Sequence, residues 1–294
     1  MDSINLYTLY QGKNLKKFGK YQKVLSNSCK KGREKKTEIK TLIFLIEKFM
    51  ENGADIENLD DFFLGFSIPH TGKELDLLKI YENGPVINIE LKSQSVDIDR
   101  IEEQLRQNRY YLAHLSDEIY TFTFVKDESR TIWYSYDGER LKKCTIEDII
   151  RLLKLEKVCI RADIEKLFKE RNYLISPINN PELFVQGKYY LTIQQKEIKK
   201  TIVEQVRKGE RTIWGIKGSA GTGKTLLLYD IAKTLARDLS VCVIHSGILS
   251  QGHQLLNAEL AEKFDDNIII TDAGGCNRET ILKNGYECIL VDES

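Results

Sequence analysis

Hydrophobic residues recur along the first half of the chain with two different periods. Residues 37–50 place apolar side chains three and four positions apart, which predicts a helix. Residues 75–91 form two apolar runs around a turn at residues 82–85, which predicts a β-hairpin. Further segments predict helix, strand, strand and helix at residues 98–115, 120–126, 131–136 and 146–155. Strands gathered between helices in this way predict an α/β domain over residues 1–155.

The second half of the chain alternates apolar strands with amphipathic helices. A helix is predicted over residues 194–208. Four strands are predicted after it, at residues 212–216, 241–245, 267–271 and 288–292. Such alternation is typical of a parallel sheet with crossover helices. Prolines and asparagines interrupt the pattern between the halves, so we expect a linker over residues 156–190 and a second domain over residues 191–294.

A chain of 294 residues is long enough for two domains, and its composition is that of a soluble globular protein, which we expect to be cytoplasmic. No apolar run approaches the roughly 20 residues that cross a bilayer, and the N-terminus does not read as a secretion signal. The six cysteines are scattered without a C-x-x-C pair, so zinc is not expected. Net charge is zero, yet residues 11–37 hold ten Lys or Arg against one acid. This stretch is either a solvated arm or a phosphate-backbone contact.

A glycine-rich segment, GSAGTGKT at residues 218–225, lies between a predicted strand and a predicted helix. Gly218, Gly221 and Gly223 allow a tight turn whose backbone N–H groups point at phosphate oxygens. In this arrangement Lys224 bridges the β- and γ-phosphates, and the Thr225 hydroxyl ligates Mg²⁺. The complete motif between these flanks predicts a P-loop that binds nucleoside triphosphates.

An acidic pair follows the last apolar run, in ILVDES. Asp292 is placed to hold Mg²⁺ through water, and Glu293 to orient the attacking water. With Leu191, Thr192 and Gln195 upstream, the order of GSAGTGKT, VCVIHSG and ILVDES resembles the first ATPase motifs of superfamily 1 helicases. The resemblance implies the first RecA-like domain of such a protein, in which Gln195 reads the adenine of ATP. A glutamine on a helix surface is the alternative.

The sequence departs from that family in stopping at Ser294. The later helicase motifs, the second RecA-like domain and the transition-state arginine are not in it. Without that arginine phosphoryl transfer is slower by about 10³ to 10⁵. We therefore expect ATP binding without translocation, in a fragment or a naturally short form that works with a homo-oligomer or a missing C-terminal helicase half.

A carboxylate–lysine set lies on the predicted hairpin. Asp76 is on its first strand, and Glu90 and Lys92 alternate on the second, so that they share one face. Hydrolysis of a phosphodiester needs carboxylates to hold divalent metal and a cation or base near the attacking water. An E-x-K triplet is also a common solvated pair. The apolar segment VINIEL favours a central strand, where a charged side chain is unusual unless it has a functional role.

The following helix contains Gln107 and Tyr111. Asp76, then Glu90-x-Lys92, then Gln107-x-x-x-Tyr111 resembles the RecB-like branch of the PD-(D/E)xK nucleases, although Leu75 replaces the proline of the family name. The resemblance implies a restriction-endonuclease-like mixed sheet flanked by helices. It also implies metal ligation by Asp76 and Glu90, and it places Gln107 and Tyr111 against the active site and DNA.

The combined prediction is an endonuclease or exonuclease that uses Mg²⁺ or Mn²⁺ and cuts DNA rather than RNA. Its ATP-binding module is helicase-like, and the resemblance implies a role in phage defence or DNA repair. The alternative is an ATP-dependent nucleic-acid-binding or regulatory NTPase whose N-terminal domain does not cleave.

Overall fold

A computed structural model describes residues 1–12, 33–127, 130–161, 163–209, 212–274 and 283–292, with backbone only at 33–36. Its contacts divide the chain into two units, Met1–Tyr173 and Leu174–Ser294. Most of the basic stretch, and Glu293 of the predicted acidic pair, lie outside the described residues. No helix in these described ranges has the length and apolar character needed to cross a membrane.

The first unit is built on a mixed sheet of six strands in the order β1-β2-β3-β4-β5-β6. The strands are β1 Phe62–Ile68, β2 Lys73–Ile80, β3 Val86–Lys92, β4 Ile119–Lys126, β5 Thr131–Tyr136 and β6 Leu141–Cys144. Neighbouring strands are antiparallel except β3 and β4, which are parallel. A parallel pair cannot be joined by a tight turn, so a helix crosses over between these two strands.

Helices cover both faces of this sheet. They are α1 Leu6–Gln11, α2 Arg33–Glu51, α3 Ile98–Leu112 and α4 Ile146–Leu153. The larger core lies on one face, where Ile46 of α2 and Ile149 of α4 meet Ile87 of β3. Helix α3, the crossover, packs on the opposite face through Ile101 and Leu105. The even-numbered residues of β3, including Glu90, point to the α3 side because side chains alternate along a strand.

The second unit contains a parallel sheet of three strands in the order β8-β7-β9. Its strands are β7 Val241–His245, β8 Ile268–Asp272 and β9 Cys288–Asp292, and its helices are α5 Pro181–Val185, α6 Ile193–Arg207, α7 Lys224–Leu235 and α8 Gln251–Lys263. Apolar side chains of these helices pack with β7 and β8 in one core.

Most of the predicted elements form within a few residues of their expected bounds, including the hairpin of β2 and β3. The predicted strand at residues 212–216 is wrong, since these residues are unpaired and Ile213 and Trp214 are exposed.

The segment predicted as a linker, residues 156–190, is divided between the two units. Cys159 forms a β-bridge with Tyr81 in the first unit. Phe184 and Val185 belong to the core of the second unit. Its prolines and asparagines break the periodic pattern without preventing these apolar side chains from being buried.

The larger core of the first unit predicts the effect of a truncation in α2. Ile46→Ala should lower the free energy of unfolding of this unit by about 2–5 kcal/mol, because the side chain is fully buried. Trp133 packs on Phe124 in the same core, so its fluorescence in a Trp214→Phe background reports the unfolding of this unit. Ile98→Ala, at a position 53% exposed, is the matched control, with a change of about 0.5 kcal/mol or less. Equal losses in both variants would contradict the assigned core.

Candidate metal and phosphate sites

The β2–β3 hairpin brings Asp76 beside Glu90. The antiparallel register pairs Leu77 with Ile89, so the next pair along the two strands is Asp76 and Glu90, on one face of the sheet. The backbone N–H of Leu91 donates to the Asp76 carboxylate at 2.8 Å, which fixes that side chain against β3.

Glu90 is buried, with 1% of its surface exposed. Its Oε1 accepts hydrogen bonds from the side-chain amides of Asn88 at 3.2 Å and Asn108 at 2.8 Å. Its Oε2 accepts from the amide of Gln104. A buried carboxylate is costly unless donors compensate it, and three amides do so here.

Lys73, at the start of β2, is the cation of this cluster that sequence reasoning missed. Burial lowers its pKa, the repulsion of Lys92 lowers it further, and the attraction of Glu90 and Asp76 opposes both. Its Nζ donates to Oε1 of Gln107 at 3.4 Å. Two lysines and two carboxylates therefore interact in one half-buried place.

The other three predicted residues of this site, Lys92, Gln107 and Tyr111, differ in their burial and contacts. Lys92 is half-buried at the end of β3. Gln107 lies between Lys73 and Glu103. Its Nε2 donates a hydrogen bond to Oε1 of Glu103 at 3.3 Å. Tyr111 is 6% exposed, and its ring packs edge-on against Tyr110 and Tyr173. Its ring is therefore a packing contact of α3, and a contact with DNA stays a prediction.

The donor set suits a hard divalent cation. Carboxylate oxygens of Asp76 and Glu90 with the Leu91 carbonyl are the ligands that Mg²⁺ and Mn²⁺ prefer. Oε2 of Glu90 accepts a hydrogen bond from the Gln104 amide, and a carboxylate oxygen has a second lone pair. Within the described residues no cluster of three His, Cys, Asp or Glu side chains is arranged for a metal. A cation here would complete its shell with water.

The sequence held two signals for the amides around Glu90. Asn88 interrupts the apolar run of β3 on the same face as Glu90, and a polar residue on a central strand needs a partner. Gln104 and Asn108 are four positions apart, so they lie on one face of α3 beside the apolar Leu105.

The predicted P-loop, residues 218–225, leads into α7 of the second unit. Gly223 has φ +75° and is the N-cap of α7, and a Cβ there would lie 2.7 Å from Nε2 of Gln195. A side chain at this position would be strained by the backbone angle and would displace the Gln195 amide. Lys224 folds back over the loop, and its Nζ donates to the carbonyls of Gly218 at 3.0 Å and Ser219 at 3.1 Å. The ammonium group is thus held at the mouth of the loop.

Thr225 and Asp292 converge at the start of α7 and the end of β9. Oγ1 of Thr225 donates to Oδ1 of Asp292 at 3.3 Å. Oδ2 of Asp292 is buried without a hydrogen-bond partner among the described residues, and so is the hydroxyl of Tyr229. Burial and the nearby Asp292 charge raise the pKa of Tyr229. Unsatisfied oxygens beside a threonine hydroxyl fit the water shell of Mg²⁺.

Gln195 is engaged at both ends of its amide. Its Oε1 accepts from the backbone N–H of Thr192 at 2.9 Å, and its Nε2 donates to the carbonyl of Thr222 at 3.0 Å. These bonds cap α6 and tie it to the P-loop, so in this conformation Gln195 positions the loop. Its reading of adenine stays a prediction.

Two histidines beside Asp292 were not singled out from the sequence. His245 is the register partner of Asp292, and its ring lies 4.3 Å from that of His253, centroid to centroid. Burial and the neighbouring His245 lower the pKa of His253, while Asp292 opposes this effect. No short motif links these positions, so their proximity emerges only from the sheet.

Comparison with models of protein families, with curated proteins and with solved structures found no match to this chain.

The surroundings of Lys73 predict a pH dependence. Because burial lowers its pKa below 10.5, the unfolded chain binds a proton at this lysine more readily in the alkaline range. The free energy of unfolding should therefore rise with pH between the lowered pKa and 10.5, and Lys73→Met should flatten that rise. Urea denaturation across this range, followed by Trp133 fluorescence, measures it. Lys143→Met, at an exposed position, should keep the wild-type slope. A wild-type slope for Lys73→Met would contradict the buried placement of Lys73.

Proposed function

We propose that this protein is a metal-dependent nuclease whose second unit binds ATP. The first unit would have the restriction-endonuclease-like fold, and the second the first part of a RecA-like domain. The convergence of Asp76, Glu90 and two lysines beside the crossover helix carries this proposal. The proposed substrate is DNA.

In the nuclease site each side chain has a separate task. A Mg²⁺ or Mn²⁺ ion bound by Asp76 and Glu90 would polarise the phosphate and lower the pKa of its water. Lys92 would orient the attacking water and offset the charge that develops on the phosphate. Gln107, held between Lys73 and Glu103, would keep Lys73 turned toward the carboxylates.

If the first unit bound nucleic acid without cutting it, this site would need different side chains. A binding surface needs exposed cations, whereas Glu90 is buried and fixed by three amides. A carboxylate fixed in this way is placed for metal ligation and repels a phosphate backbone when no metal is bound. This observation favours cleavage.

In the second unit, Lys224 would leave the loop carbonyls to bind the β- and γ-phosphates of ATP. Thr225 and the unsatisfied oxygen of Asp292 would hold Mg²⁺ directly and through water. Gln195 would keep the loop attached to α6.

The nuclease proposal predicts the loss of cutting in Lys92→Ala. With Mn²⁺ and supercoiled, linear or single-stranded DNA, the rate of cleavage should fall by about a hundredfold or more, because a positioned catalytic group contributes at least that much. Lys143→Ala, an equal loss of charge at an exposed position of the same sheet, should keep the wild-type rate. Chelation of the metal should abolish cutting in every variant.

Binding to DNA by the wild-type protein without cutting of any of the three substrates would favour the non-cleaving alternative. An equal loss of activity in Lys92→Ala and Lys143→Ala would show that only general charge matters.

The P-loop predicts a separate effect of Lys224→Ala. Affinity for ATP, measured by calorimetry with Mg²⁺, should fall about tenfold or more, since the variant loses a charge-assisted contact to the phosphates. Lys283→Ala, at an exposed position of the second unit, should bind ATP as the wild type does. Cutting in the absence of ATP should survive Lys224→Ala. Unchanged ATP affinity would contradict the phosphate role of the loop.

A further inference from the structure

The second unit contains a cavity of about 620 Å³ beside α6 and α7. Six basic side chains line it: Lys196, Lys199, Lys200, Arg207, Lys233 and Arg237. Two acidic side chains, Glu204 and Asp230, line the same cavity. The lining therefore holds more cations than carboxylates, although Lys200 pairs with Glu204 and Arg207 pairs with Asp238 outside the lining. The lysine and threonine of the P-loop are not part of it.

The carboxylate of Asp230 is paired with other side chains of the cavity wall. Asp230 is 5% exposed, accepts a hydrogen bond from the Tyr189 hydroxyl, and forms an ion pair with Lys199 at 2.6 Å. These contacts join α7 to α6 and to the segment that precedes it. Lys199 is thereby fixed in the wall.

Lys233 is the most buried cation of the cavity, at 9% exposed. Its Nζ donates to the carbonyl of Phe184 at 2.9 Å and lies 4.4 Å and 4.6 Å from the ring centroids of Phe184 and Tyr189. These neutral contacts orient the ammonium group without neutralising it.

Three cations and one carboxylate act on the ammonium group of Lys233. Burial lowers its pKa to about 8, and Lys263, Lys199 and Arg237 act in the same direction against the single opposing Asp230. Charges of one sign held this close repel one another, and an anion in the cavity would relieve that repulsion.

Two tyrosines line the cavity, Tyr189 and Tyr190, and the ring of Tyr189 is not available for stacking on a base. The Tyr189 ring stacks on Phe184, with centroids 5.0 Å apart and planes 15° apart, and Lys233 also lies over the ring. The basic side chains of the wall are therefore the groups to which recognition is assigned. The volume is in the range of small-molecule sites, and lysine and arginine are the side chains that bind phosphate oxygens.

We propose that this cavity binds a compact, multiply charged phosphate anion, free or as the polyphosphate chain of a small molecule, at a site distinct from the P-loop. The excess of cations over carboxylates in one concave wall carries this inference. It does not depend on nuclease activity.

The experiment uses the full chain with Lys224→Ala, so that the P-loop contributes little. Inorganic triphosphate is titrated by calorimetry without divalent metal, and saturable binding at one site is expected. Adding Lys200→Ala and Arg237→Ala should weaken it about tenfold or more, because two charge-assisted contacts are removed. Adding Lys208→Ala and Lys283→Ala removes the same charge at exposed positions outside the cavity and should leave the affinity unchanged.

ATP and a single-stranded oligonucleotide are titrated in parallel to identify the source of the phosphates. Binding of triphosphate or ATP that is lost in the variant with Lys200→Ala and Arg237→Ala supports the site. Whichever of the two binds more tightly shows whether the ligand is a free phosphate anion or a nucleotide. Absence of saturable binding, or an equal loss in both double variants, overturns it. If the oligonucleotide binds more tightly than triphosphate and ATP, and loses affinity in the same variant, the proposal of a compact ligand is also overturned. Should the double variant unfold, Lys200→Gln and Arg237→Gln alone replace it, each with a loss of about threefold.

Discussion

Glu90 lies on a central strand of the first unit with almost no exposed surface, and a carboxylate in that position must be compensated by donors. Asn88 on the same strand and Gln104 and Asn108 on α3 supply them. This requirement fixes the register of α3 on the sheet. The position of Gln107, one turn of helix from Gln104, follows from it.

The same constraint explains why the mixed sheet suits a site. Parallel strands β3 and β4 need a crossover, and the crossover helix covers the face that carries Glu90. The antiparallel β2 then brings Asp76 and Lys73 from the other side. The second unit uses its parallel sheet in a similar way, since β9 delivers Asp292 to Thr225 at the start of α7.

Periodicity was sufficient to predict the hairpin, the crossover helix and strands β7, β8 and β9, because each has a continuous apolar pattern. The placement of Asp76 beside Glu90, and of residues 218–225 before a helix, was predictable because these residues lie within short motifs on those elements, and their roles as metal and phosphate sites stay predictions. Lys73 and the histidine pair were not predictable, since their partners come from strands distant in sequence or from a strand end. The strand expected at residues 212–216 does not form, although β8 and β9 each keep an edge without a described partner, so an apolar run alone did not decide strand pairing here.

The central claim is that Asp76 and Glu90 hold one divalent cation. Anomalous diffraction from crystals of the protein grown with Mn²⁺ tests it directly. The account predicts an anomalous peak at bonding distance from carboxylate oxygens of both residues. A peak at Thr225 and Asp292 with none at Asp76 and Glu90 would contradict it.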